Sequence, residues 1–256
     1  MSVDFTMPSS DPELLERATS LAKRFADRYT RESVLGIVFL GAVVRGYFDS
    51  FADIDVVIYT SPGADIGLAE QYIHEEGFEI QCWLSDYAEE EAQPWDMAKR
   101  WAYTTHQIYY DPDGKIARLL AEKVRMLPEE RRWLMIAGMA LSNWYCDGLP
   151  RLWMARGNLV SAQHMFSEGL THFFNALFGL NNELVADVKW RYYCAEQLAI
   201  LPEKFKENIA EVLQVHAIDI ADIESRQRAF TEMWQAILPR IEAEVGMPYD
   251  EFSKLV

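Results

Sequence analysis

Two aspartates one residue apart, Asp53 and Asp55, are the residues in this chain best placed to do chemistry. Ile54, Val56 and Ile58 alternate with Asp53, Asp55 and Val57, a pattern that predicts a strand. Residues i and i+2 of a strand face the same side, about 6–7 Å apart. Two carboxylates held that way repel each other unless a cation lies between them. Mg²⁺ suits the place, because it is hard, prefers oxygen and completes its shell with waters and substrate phosphates. A third carboxylate would complete a site for two metal ions or supply a general base. Glu79 is the candidate: it shares one face of a predicted strand with Gln81 and Trp83, opposite Phe78, Ile80 and Cys82. A charged residue in such a run needs water, a cation or a partner.

An Asp-x-Asp pair alone is a weak motif, and what precedes this one sharpens it. Residues 34–40 form a short apolar run that predicts a buried strand, ended by Gly41. Residues 42–48 read as a short helical turn, and Asp49-Ser50 as a loop leading to the aspartates. A glycine turn entering a helix brings backbone N–H groups and positive potential toward phosphates.

The remaining elements must hold this strand–turn–strand unit in place. Asp11-Pro12-Glu13 reads as a helix start, with Leu14, Leu15, Ala18, Leu21, Ala22 and Phe25 at helical spacing. The pattern predicts helices near 66–75 and 94–104, a third strand over 78–84 and a fourth over 106–110. Beyond residue 115 no strand is expected. Helices are predicted over 115–125, 129–146, 150–178, 184–200, 203–216 and 222–245, with Trp133, Ile136, Ala137, Ala140, Leu141 and Trp144 as one apolar stripe. The expected fold class is α/β: a mixed-sheet domain over residues 1–125, followed by an all-helical bundle domain over residues 126–256.

The stretch from Phe39 to Ile58 resembles the nucleotidyltransferase fold of the DNA polymerase beta superfamily. It is most similar to the small bacterial branch that includes kanamycin, streptomycin and lincosamide nucleotidyltransferases. That pattern is an apolar strand, Gly-Ser, about ten residues, Asp-x-Asp, and a later acid on a neighbouring strand. Gly41 matches the glycine, Asp53 and Asp55 the pair, and Glu79 the later acid. Arg45-Gly46 and Asp49 stand where small bacterial members often carry Arg-Gly and an acid. The sequence departs from the pattern at Ala42 and Ala52, where the family commonly has serines. Backbone N–H groups at 42 and 43 remain available for phosphate, and Ser50 is a partial substitute.

The resemblance implies attack by a substrate hydroxyl on the α-phosphate of ATP or another nucleoside triphosphate, with pyrophosphate leaving. Mg²⁺, as two ions, would be held by Asp53, Asp55 and Glu79, the last being either a ligand or the base. Gly41, Ala42, Arg45 and Ser50 would face the nucleotide, Arg45 either touching triphosphate or solvating a helix end. Related enzymes often supply a lysine from the helical domain, a role for which Lys189 is the candidate and an exposed helix lysine the alternative.

Composition narrows the partners. Lys and Arg total 24 against 40 Asp and Glu, a net charge of -16. Such a surface repels phosphate backbones, so neither extended nucleic acid nor an anionic membrane is an expected partner, whereas small cations would be attracted. The expected acceptor is a small hydroxylated molecule, with an aminoglycoside-like cation suggested by charge and resemblance, used by a monomer or homodimer. The competing readings are an enzyme that places AMP on a protein, as antitoxin-type nucleotidyltransferases do, and a non-catalytic nucleotide-binding protein of the same fold.

Cys82, Cys146 and Cys194 lie far apart and are odd in number, as expected for a reducing cytoplasmic compartment. The polar first ten residues predict no signal peptide, and no apolar run is long enough to predict a membrane span. The five histidines form no metal motif. Asp111-Pro112-Asp113-Gly114 fails as a calcium loop, because the terminal ligand positions would be Tyr109 and Leu120.

Overall fold

A computed structural model describes residues 5–68 and 70–256. The chain divides into two compact units, residues 6–125 and 126–256.

The first unit is built on helix α1 (Pro12–Asp27) and strands β1 (Val34–Leu40), β2 (Ile54–Thr60), β3 (Tyr72–Glu75), β4 (Phe78–Asp86) and β5 (Gln107–Tyr110). Helix α2 (Gly41–Arg45) links β1 to β2, α3 (Tyr87–Ala92) and α4 (Met97–Ala102) follow β4, and α5 (Lys115–Lys123) follows β5. The strand order is β3-β4-β2-β1-β5. β2 and β4 run parallel with Asp55 opposite Gln81, and the other pairings are antiparallel, so the sheet is mixed.

Each face of the sheet has its own core, because strand side chains alternate. Ile37, Phe39, Ile54, Val56, Ile80 and Cys82 pack under Ala18, Leu21, Ala22 and Phe25 of α1. Val38, Leu40, Val57 and Tyr59 pack with Trp95, Tyr103, Ile116 and Leu119. α1 begins where its residues dictate: the Asp11 carboxylate accepts from the N–H groups of Glu13 and Leu14 at 3.0 and 3.2 Å, with Pro12 in the first turn.

Residues 66–75 correct the helix expected there. Tyr72–Glu75 is an edge strand that turns back onto β4 through Glu76 (φ 52) and Gly77 (φ 86). Two consecutive positive φ values make the two-residue turn whose twist matches an antiparallel hairpin. α1 pins it with the ion pairs Arg24–Glu76 at 2.7 Å and Arg28–Glu75 at 2.5 Å.

The second unit consists of α6 (Pro128–Asn143), a π-helical turn (Trp144–Gly148), α7 (Leu149–Ala155), α8 (Leu159–Leu180), α9 (Arg191–Ala195), α10 (Phe205–Leu213), α11 (Ile220–Val245) and α12 (Tyr249–Phe252). Three details differ from the sequence reading. The helix expected over 150–178 is broken at Gly157, whose φ of 74 ends α7 before Asn158 caps α8. The helix expected over 184–200 shrinks to Arg191–Ala195. The buried stripe of α6 is Met135, Ile136, Met139 and Ser142, whereas Trp133 and Trp144 are 51% and 48% exposed. Gly138 explains the shift: a Cβ there would meet the Ala176 backbone N at 2.7 Å, so the bare face of α6 is the one that approaches α8.

Pro150 has no N–H to donate back along its helix, and the π-helical turn lies immediately before α7. Buried Gln227 of α11 reaches that turn, its Nε2 donating to the carbonyls of Cys146 and Asp147 at 3.3 and 3.1 Å. Gln227→Leu is expected to destabilise the protein by about 1–3 kcal/mol, the cost of leaving buried carbonyls unpaired. Chemical unfolding of wild type and variant side by side measures it, and an unchanged midpoint contradicts it. Among the described residues, no helix is long and apolar enough to cross a membrane. Cys82, Cys146 and Cys194 are buried and none of them is in a disulfide.

Candidate functional site

The site lies at the start of β2, on the sheet face that further along carries Val57 and Tyr59. β1 delivers the chain to Gly41, which has φ 63, and α2 begins there. Gly41 is needed for two reasons. Its backbone conformation is one that side chains with a Cβ avoid. In addition, a Cβ at this position would lie 1.8 Å from Asp55 Oδ2. The Asp55 carboxylate is therefore packed against bare backbone at the start of α2, as its pairing with Leu40 across β1 and β2 requires.

Asp53 stands one residue before β2, beside β4. Gln81 Nε2 donates to Asp53 Oδ2 at 2.6 Å and to Glu79 Oε1 at 3.0 Å, joining the two carboxylates through one amide. Exposed His74 on β3 lies 3.8 Å from the other oxygen of Glu79. Among the described residues, no three His, Cys, Asp or Glu side chains are grouped so as to hold a metal ion. The structure brings Asp53 and Glu79 together through Gln81 and seats Asp55 on Gly41. The Gln81 amide lies between Asp53 and Glu79 and compensates both carboxylates. The donor set still fits Mg²⁺, which is usually bound by one or two carboxylates with substrate phosphates and water completing the shell.

Tyr47, half-buried just after α2, senses the same group. Burial pushes its hydroxyl up to about 12, with Asp53, Asp55 and Asp49 adding to the rise and Arg45 opposing it. The phenol remains a proton donor at neutral pH. Nothing in its spacing marks it in the sequence; only its position between Arg45 and the acids, once folded, gives it a place. Gln81 likewise carries no sequence signal beyond sharing a strand face with Glu79.

The other candidates fall as follows. Ala42 is buried on α2. Arg45 lies 4.2 Å over the Trp101 ring, and its Nη2 donates to Trp101 O at 3.2 Å and Thr104 Oγ1 at 3.4 Å, so its guanidinium is held on α4. Ser50 is exposed on the rim of a cleft of about 470 Å³ that also contains Phe48, Asp49, Phe51, Asp53 and Glu79. Neither Gly41 nor Asp55 lines this cleft. The loop at its mouth is latched by Asp49, whose Oδ1 accepts from Phe51 N at 2.8 Å and whose carbonyl accepts from Ala52 N at 3.2 Å. That turn leaves Phe51 95% exposed. Lys189 belongs to the second unit, exposed on a turn whose Asp187 Oδ1 accepts its N–H at 3.1 Å, not on the helix expected there.

This architecture is similar to a nucleotidyltransferase-like fold. The chain superposes on the crystal structure of a nucleotidyltransferase-like protein from Exiguobacterium sibiricum 255-15 with a TM-score of 0.50 and 12% identity, over 90% of this chain and 78% of that one. A mixed-sheet α/β unit followed by a helical unit is thus a nucleotidyltransferase-like fold, and at this identity the likeness concerns fold alone. No protein-family model and no curated protein matches the sequence.

Proposed function

We propose that this protein is a Mg²⁺-dependent nucleotidyltransferase. It moves a nucleoside monophosphate, AMP by preference, from a triphosphate to a hydroxyl of a small cationic acceptor of aminoglycoside-like chemistry. The observation that carries the reading is the Asp55 carboxylate seated against Gly41, with Asp53 two residues before it and Glu79 joined to Asp53. In the proposed reaction the acceptor oxygen bonds to the α-phosphorus, the α–β bridging P–O bond breaks, and pyrophosphate departs. Glu79 takes the hydroxyl proton. Backbone N–H groups at the start of α2 face the phosphates. Mg²⁺ bound at Asp53 and Asp55 would supply charge neutralisation along the in-line path. Calorimetric titration with ATP, GTP, CTP and UTP, with and without Mg²⁺, tests the proposal. Binding of at least one triphosphate only with Mg²⁺ supports it; no binding of any of the four removes its basis.

The acceptor side is assigned to the cleft holding Asp49, Asp53, Glu79 and Phe51, whose lining contains no Lys or Arg. An acidic wall beside an exposed ring favours a cation and disfavours triphosphate. Phe51→Ala is expected to raise the acceptor KM roughly tenfold, within the range of a cation–π contact, while leaving the triphosphate affinity unchanged. Steady-state kinetics separates the two; a change in triphosphate affinity instead places Phe51 on the nucleotide.

One observation favours a second reading. Ala42 replaces the serine with which the resembled family often holds the nucleotide phosphates, and Ala52 the serine that commonly precedes the aspartate pair, which suits a nucleotide-binding protein without turnover. Mg²⁺-dependent binding with no pyrophosphate release across a broad acceptor panel would select it.

A further inference from the structure

We infer that Gln81 is an internal stand-in for the cation: its amide holds Asp53 and Glu79 together when no divalent ion is bound, and it gives up Asp53 when one binds. The inference rests on the reading of Asp53 as a metal ligand. Glu79 and Gln81 lie two residues apart on β4 and share a face, and the parallel register sets Gln81 opposite Asp55. The Gln81 side chain therefore projects into the space beside Asp53 that the acidic residues of both strands border.

Both contacts are made by one nitrogen, at 2.6 Å to Asp53 and 3.0 Å to Glu79. An amide nitrogen has two hydrogens, so these two carboxylates use its whole donor capacity. The orientation follows from chemistry, because turning the amide over would set its carbonyl oxygen against two anions. Nitrogen between two carboxylates does in part what a cation would do. An ion drawing on Asp53 Oδ2 from this side must replace that hydrogen bond.

Gln81→Met keeps the length of the side chain and removes both donors. With Mn²⁺ as the probe, in the absence of nucleotide, the variant is expected to bind the ion roughly tenfold more tightly than wild type, about the worth of one hydrogen bond to a charged group. Gln81→Asn, too short to span both carboxylates, is expected to move affinity in the same direction and serves if the methionine variant fails to fold. Asp53→Asn is expected to abolish binding in either background. Mn²⁺ binding that depends on Asp53 but is equal or weaker in both Gln81 variants would overturn the inference and leave the proposed function standing. Mn²⁺ binding by neither wild type nor the Gln81 variants would overturn the inference alone, because substrate phosphates complete the ion's shell and the proposed function is tested by Mg²⁺-dependent triphosphate binding.

Discussion

Exchanging Asp53 and Asp55 together for asparagine is expected to abolish Mg²⁺-dependent binding of nucleoside triphosphate and to lower turnover about a thousandfold or more. The size follows from the several kcal/mol of charge stabilisation that a bound divalent ion contributes to phosphoryl chemistry. Asparagine keeps the volume and one acceptor oxygen of each side chain but removes the two charges that attract the ion. The folding cost should be small, since both residues are only partly buried at the strand end. Relief of the repulsion between the acids offsets part of that cost. Calorimetry with Mg–ATP and a thermal melt on the same preparation test this. Unaltered Mg²⁺-dependent binding in a well-folded double variant would show that the nucleotide site lies elsewhere.

Gly41→Ala is expected to inactivate the protein almost as fully, although alanine adds only a methyl group and alters no charge. Two effects combine. The left-handed backbone at φ 63 costs an alanine about 1–2 kcal/mol. The new Cβ would lie 1.8 Å from Asp55 Oδ2, so the carboxylate must rotate away from the start of α2. Gly46→Ala separates the two contributions. Gly46 has φ 75, yet a Cβ there meets nothing within 4 Å, so this variant bears the backbone strain without the collision. Both variants should melt a few degrees below wild type. Only Gly41→Ala should lose turnover by about a hundredfold or more, the scale of removing one electrostatic group from an active site. Equal activity in the two variants would mean that the position of Asp55 does not matter to the reaction.

Much of the fold is legible along the chain because its signals are local. The alternation from Asp53 to Ile58 and the apolar run 34–40 mark adjacent strands, and Gly41 marks the turn between them. Asp11-Pro12-Glu13 starts a helix with cap, proline and first-turn acid in order. The change from strand to helical periodicity after residue 115 separates a sheet-bearing half from a helical one, as the structure has it. The missed segments are those whose local pattern is ambiguous. Residues 72–75 are too short for a period to declare itself, and their strand state comes from pairing with β4. Trp133 and Trp144 look like core residues by type, but the partner helix packs against the face opened by Gly138.

The sequence by itself determined the two strands joined through Gly41, the α/β-then-helical class and the acidic pair at a strand end, because each depends on residues close in the chain. Only the tertiary structure decided what surrounds that pair. Register sets Asp55 beside Leu40 and Gln81, and so brings its carboxylate onto Gly41. The hydrogen bonds from Gln81, the place of Tyr47 among the acids and the seating of Arg45 on Trp101 likewise join residues far apart in sequence. Such contacts leave no periodic trace, since side chains from different strands and helices meet only when the sheet is assembled and its faces are covered.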